Sequence, residues 1–143
     1  MAARRIFGYA WAAPYTALGL VLGGATLLAG GWWRTRAGAI EFGGGRAGRL
    51  ATRLPPPFCF SAMTLGHVVL GTDAETLDQV RAHEQVHVRQ YERWGPLFMP
   101  AYLLSSLGQL LRGGRPYRDN RFEREAYAQE RAPGAAREKP RCG

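Results

Sequence analysis

A mainly helical α+β fold is expected, and three observations carry that expectation. Residues Ala74–Trp94 contain no Gly or Pro and place apolar side chains at helical spacing. No charge occurs between Arg5 and Arg34, so an apolar helix is expected near the N-terminus. Ala62–Leu70 carries β-branched residues and is closed by Gly71, the signature of a strand in a small β-region.

The uncharged N-terminal segment is richest in apolar residues over Ala17–Gly31. Trp11, Tyr15, Trp32 and Trp33 lie near its ends, where aromatics of a membrane interface would sit. Pro14–Trp33 just supplies the roughly 20 residues that a span requires. A membrane anchor is the first reading. A secretory signal peptide and a Gly-rich helix buried in the protein's own core are the alternatives. Arginines on both flanks leave orientation open.

The β-region begins with Ala39–Phe42, a short strand closed by Gly43-Gly44-Gly45. Gly43 to Gly48 matches G-x-G-x-x-G in form. That fingerprint binds a dinucleotide only where a strand leads into the helix of a βαβ unit. Pro55-Pro56-Pro57 follows closely and no second parallel strand is evident, so a hairpin or loop is expected there. Ala62–Leu70 is expected as one strand.

Three helices follow. Thr72-Asp73 offers an N-cap to the first, with Glu75 and Asp78 in its opening turns, and Gly95-Pro96 stops it. Leu77, Val80, Glu84, His87 and Tyr91 share one of its faces. Leu97–Leu111 is a second, apolar helix, too short for a comfortable span and better suited to packing over the first helix or lying in a membrane interface. Phe122–Arg131 is the third, capped by Asp119 or Asn120. The Pro-, Gly- and charge-rich stretch 132–143 reads as a disordered tail.

The chain carries 19 Lys+Arg against 11 Asp+Glu. Its excess is local: seven arginines and the single acid Glu41 lie between Met1 and Phe60. Basic residues flanking an apolar stretch favour anionic lipid headgroups. They are not interleaved with aromatics on a nucleic-acid module, so nucleic acid is excluded as a partner. Cys59 and Cys142 define no disulfide framework.

Chemistry concentrates at His83-Glu84-Gln85-Val86-His87, an H-E-x-x-H pattern. Residues four apart on a helix stack on one face, so both imidazoles can converge on one ion. Glu84 points about a quarter-turn away, where it can act on water as a general base. Zinc suits nitrogen and oxygen ligands in a tetrahedral site. A third ligand must come from another element, and His67, Glu123 and Glu125 are available.

With these residues the chain resembles the small gluzincin-type, minigluzincin-like zinc metallopeptidases. Asn120-Arg121-Phe122-Glu123-Arg124-Glu125-Ala126-Tyr127 resembles the family's glutamate helix. The resemblance covers residues 60–131 and implies a Zn²⁺ held by His83, His87 and Glu123, with Glu125 pointing elsewhere. It also implies that Met63–Leu70 is an edge strand that binds substrate backbone. Tyr127 stands where the family often has an Asp that orients a zinc-bound histidine, which leaves that orientation without a source. His67, Tyr102 and Tyr117 are candidates for the oxyanion-stabilising group.

The expected organisation is a hydrophobic, membrane-associating segment over 1–36, a zinc domain over 37–131 and the tail over 132–143. The expected function is a membrane-associated zinc metallopeptidase. Glu84 would be the general base toward a zinc-activated water, and peptides or proteins the substrates. The alternative is a non-catalytic, zinc-stabilised membrane or interaction protein.

Overall fold

The computed structural model describes residues 2–54 and 60–130. It is a mainly helical α+β fold around one four-stranded sheet. The expected tail, both cysteines and the three prolines lie outside the described residues. Helix α1 (Ala2–Leu28) leads into strands β1 (Trp32–Arg36) and β2 (Ala39–Gly43). Helix α2 (Gly45–Arg53) and strands β3 (Ala62–Leu65) and β4 (Val68–Gly71) follow. Helices α3 (Ala74–Trp94), α4 (Phe98–Leu111) and α5 (Arg121–Glu130) complete the fold, with a 3₁₀ turn, Gly95–Leu97, between α3 and α4.

The strand order is β1-β2-β4-β3. β1 and β2 are antiparallel, as are β3 and β4, whereas β2 and β4 run parallel in the centre. Both faces are covered, which is why Val68-Val69-Leu70 is apolar without alternation. Val69, Ala39 and Ala62 pack with Leu77 and Val80 of α3. Val68, Leu70 and Phe42 form the other layer, with Tyr15 of α1 against it.

Helix α1 approaches through small residues on one stripe. Ala12 is fully buried, and a Cβ added at Gly19 or Gly23 would lie 2.6 Å from Val68 or 2.5 Å from Phe42. Gly8 rests on Glu92 of α3 in the same way. The glycines that weaken α1 as a free helix are therefore its docking surface. Its other faces leave Ile6, Phe7, Leu18, Val21 and Leu28 exposed. Ile6–Leu28 is long and apolar enough to cross a membrane.

Three sequence expectations change. The apolar span was expected to reach Trp33, but α1 ends at Leu28, and Trp32–Arg36 forms β1 in register with β2. The boundary expected between residues 36 and 37 thus falls inside a hairpin, whose turn is Ala37-Gly38, both at positive φ. Arg34 does not serve as a free basic flank. It bonds the buried Glu41 (2.6 Å) and Asp78 (2.5 Å), and Arg81 of α3 completes this network with the same two acids.

The second change is at Ala62–Leu70, which is a two-strand hairpin. Gly66 at positive φ starts its two-residue turn, and Thr16 of α1 packs where a Cβ would stand. The third concerns Gly43–Gly48, which is neither hairpin nor loop. β2 leads into α2, and β4 supplies the parallel strand. The N-terminus of α2 faces protein: the Arg46 N–H donates to Ala29 O at the end of α1 (3.0 Å). Gly48 allows α2 to press on the backbone of Thr72.

The start of α3 is fixed by Asp73, whose carboxylate accepts from the Thr76 N–H (2.8 Å) and hydroxyl (2.7 Å). Burial opposes ionisation of Asp73, but these bonds and one from the Thr72 hydroxyl prevail and lower its pKa. A depressed carboxylate stabilises the fold fully above its unfolded pKa and loses that effect as pH falls through the folded value. Asp73→Ala should therefore cost about 1 kcal/mol at neutral pH. Denaturant unfolding of both chains should show that difference shrinking once the pH drops below the ordinary carboxylate range. A constant difference would assign the loss to something other than the ionised cap.

Candidate metal centre

The centre is built where α3 faces α5. Its two imidazoles follow from helical spacing: His83 and His87 lie one turn apart on the buried face of α3. Helix α5 is positioned by Asn120, whose Oδ1 accepts from the Phe122 N–H (2.9 Å) as an N-terminal cap. The Asn120 amide also donates to Tyr102 O (2.9 Å) and Ser106 Oγ (2.7 Å), pinning α5 to α4. Asp119 instead closes the preceding loop on the Arg115 N–H.

This arrangement brings Glu123 between the histidines. His83 Nε2 lies 3.1 Å from Glu123 Oε2, His87 Nε2 lies 3.3 Å from Glu123 Oε1, and the two Nε2 atoms are 3.2 Å apart. All three residues are buried, and together they form a group that could hold a metal ion. Glu123, the expected third ligand, is thus brought into this group. Glu125 turns away to Gln90 Nε2 (3.0 Å) and Arg93 (3.4 Å). His67 is held elsewhere, bonded to Glu92 (3.0 Å) and stacked on Tyr9, so it is no part of this group.

The outer ring nitrogens decide what the inner ones can do. His87 Nδ1 meets Gln90 Oε1 at 2.8 Å, and the Gln90 amide nitrogen is committed as donor to Phe122 O (3.1 Å) and Glu125. Gln90 can therefore only accept from His87, which places the proton on Nδ1. His83 Nδ1 lies 3.3 Å from the Glu130 carboxylate, which fixes the same tautomer. Both Nε2 atoms then present lone pairs to each other and to the oxygens of Glu123.

Acceptors gathered this closely could hold a metal ion. A tetrahedral metal about 2.0–2.1 Å from each ligand would set its ligand atoms about 3.3 Å apart, close to the spacings found. The donor set therefore fits such an ion. The carboxylates around His87 also draw a proton to its ring. Burial opposes its protonation, yet Glu123 and then Glu84 raise its pKa above the ordinary value.

Gln90 and Glu130 were not foreseen from the sequence. They supply the orientation left unassigned when Tyr127 occupied the expected Asp position. Tyr127 instead sets its ring edge-on to His83, centroids 4.8 Å apart. Gln90 sits one turn beyond His87 and Glu130 two turns beyond Glu123, so helical periodicity held the only signal for them.

Glu84 is also buried, and its Oε2 accepts from the Thr64 hydroxyl at 2.8 Å. Thr64 belongs to β3, which forms one edge of the sheet, whereas β4, the second half of the expected edge strand, is central. Tyr102 on α4 donates its hydroxyl to Glu123 Oε1 at 2.8 Å. Burial and then Glu123 raise the Tyr102 pKa, keeping it a donor. Tyr117 also lies within the field of Glu123, Tyr127 and Glu84. A pocket lined by Arg115, Arg118, Asp119, Arg124, Tyr127 and Ala128 opens beside the centre.

Comparison with protein-family models, curated proteins and solved structures finds no match to this chain.

Orientation through Gln90 and Glu130 makes a defined prediction. Glu123→Gln should abolish metal binding, whereas Gln90→Ala or Glu130→Gln should weaken it by about 10–100-fold. Metal per chain after dialysis against a graded chelator measures both. Binding by Glu130→Gln equal to that of the natural chain would remove Glu130 from the centre.

Proposed function

We propose that this chain is a membrane-associated zinc metallopeptidase of minigluzincin-like type. The observation that carries the reading is the buried His83–His87–Glu123 group with Glu84 beside it on the same helix. In that arrangement His83, His87 and Glu123 would hold the zinc, with Gln90 and Glu130 fixing the ring orientations. Zinc bound there would supply Lewis acidity that polarises a peptide carbonyl and makes water more acidic.

The chain's own groups supply the proton chemistry. As water oxygen bonds to the carbonyl carbon, Glu84 removes a proton from that water. As the C–N bond breaks, Glu84 returns the proton to the leaving amine nitrogen, so the carboxylate is regenerated. Thr64 holds Glu84 from the strand at the sheet edge, where an extended peptide could add alongside β3. Tyr102 and Tyr117 are the remaining phenols for the developing oxyanion, since His67 is engaged with Glu92. Helix α1 is the proposed membrane attachment.

A second reading has its own support. The full burial of His83, with Glu84 and Glu123 each only 2% exposed, suits a zinc that staples α3 to α5 without catalysis. Glu84 separates the two readings. In a peptidase, Glu84→Gln should retain zinc and lose cleavage of a peptide library by about 10²–10⁴-fold. Unchanged cleavage would remove Glu84 from the mechanism. A zinc-loaded natural chain that cleaves nothing in the library would favour the staple.

A further inference from the structure

We propose that α4 is a second membrane-contacting surface, its leucine face seated among lipid acyl chains beside α1. The helix is amphipathic in the inverted sense. Its exposed residues are Pro100, Leu103, Leu104, Leu107, Leu110 and Leu111, all of them apolar. Leu104 is 68% exposed and Leu111 78%. Its polar residues turn inward. Ser106 Oγ accepts from the Asn120 amide (2.7 Å), Ser105 Oγ accepts from the Arg121 N–H (3.1 Å), and the Tyr102 hydroxyl reaches Glu123.

A helix bathed in water places these residues the other way round. An exposed apolar surface of this extent calls for a partner. Two observations select a bilayer. The first is continuity with α1: Trp11 packs on Gly95 at the entrance to α4, and Tyr15 donates to Pro96 O (3.4 Å). Since α1 is docked along its length on the sheet and α3, a membrane that receives its exposed Phe7, Leu18 and Val21 is brought up to α4 as well.

The second observation is charge. Residues 94–111 carry none, and the exposed Arg112 follows directly, placed as a cation is when it meets anionic headgroups at the end of an apolar segment, with the exposed Arg115, paired to Asp119, three residues on. A second copy of the chain or another protein would meet no polar group on the leucine face to fix its register.

The proposal shares the membrane reading of α1 and is independent of catalysis. The test uses the full chain carrying Cys59→Ser and Cys142→Ser, with one added cysteine bearing an environment-sensitive fluorophore. Positions are Leu104→Cys, Leu107→Cys, Val21→Cys on α1 and, as control, the half-buried Gln79→Cys on α3. Each is mixed with phosphatidylcholine–phosphatidylglycerol vesicles containing lipid brominated in mid-chain. A far-ultraviolet circular dichroism spectrum matching that of the natural chain reports that each labelled chain is folded.

Quenching at 104 and 107 as strong as at 21, with none at 79, is the expected result. Quenching at 21 alone would overturn the α4 contact while leaving α1 as the anchor. Quenching nowhere would overturn both. Efficient disulfide formation between unlabelled Leu104→Cys chains under oxidation, with no lipid quenching of the labelled ones, would show the face to be a contact between copies. Arg112→Gln with Arg115→Gln should reduce vesicle binding only when phosphatidylglycerol is present; an equal loss on neutral vesicles would overturn the headgroup contact.

Discussion

The arrangement of α3, α4 and α5 centres on the close approach of His83, His87 and Glu123, a group that could hold a metal ion. Two imidazole nitrogens and two carboxylate oxygens converge within about one tetrahedral edge of each other, and the protons of both rings are directed outward by Gln90 and Glu130. In a low-dielectric interior such acceptors need protons or a cation between them, and the Tyr102 hydroxyl already donates to Glu123 Oε1. A cation bound there would hold α3 and α5 together. Metal binding there would be linked to docking of α5, because Glu123 stands on the helix that must dock.

The upper half solves a different problem. A four-stranded sheet with apolar residues on both faces needs a cover on each, and α3 covers only one. Helix α1 supplies the other by giving up side chains where backbone and sheet must approach, at Gly19 and Gly23. The loss of helix propensity at those positions is offset by contact with Val68 and Phe42. On the α3 face the buried Glu41 is held by two arginines, Arg34 from β1 and Arg81 from α3. A lone charge there would cost several kcal/mol, so the network fixes β1 and α3 in register with each other.

These differences explain what could be read from the sequence and what could not. Helix α3 and its histidine pair were legible because both depend on local periodicity: i and i+4 share a face whatever the rest of the chain does. Glu123 needed the resemblance to a glutamate helix, since composition left Glu125 and His67 open. Gln90 and Glu130 were hidden because their meaning arises only when α3 and α5 are apposed. β1 was missed for a physical reason. Its two tryptophans fit a membrane interface as well as a strand, and the Ala37-Gly38 turn lacks the Asn or Asp that usually announces a tight hairpin. Gly66 did carry a signal, because a glycine within a β-branched run marks a break, and the structure turns the chain there. Gly43–Gly48 misled in the opposite direction: the missing parallel strand was β4, delayed by an intervening hairpin strand.

Helix α4 joins the two halves of the functional reading. Its inner side presents Tyr102 to Glu123 and binds the α5 cap through Ser105, Ser106 and the Tyr102 carbonyl. Its outer side presents leucines and nothing polar. One helix width, about 10 Å, thus separates the proposed lipid contact from a metal ligand. A peptide reaching Glu84 along β3 would do so in the immediate neighbourhood of the membrane surface. The substrates best matched to such a site are segments of chain held at or near a bilayer, because both partners would then be confined to the same thin layer and their effective concentration raised without any added contact. The burial of the centre is consistent with that setting. Side chains shielded from bulk water by α4 on one side would keep the proposed proton chemistry of Glu84 in a low-dielectric environment, where each fixed charge around it acts most strongly.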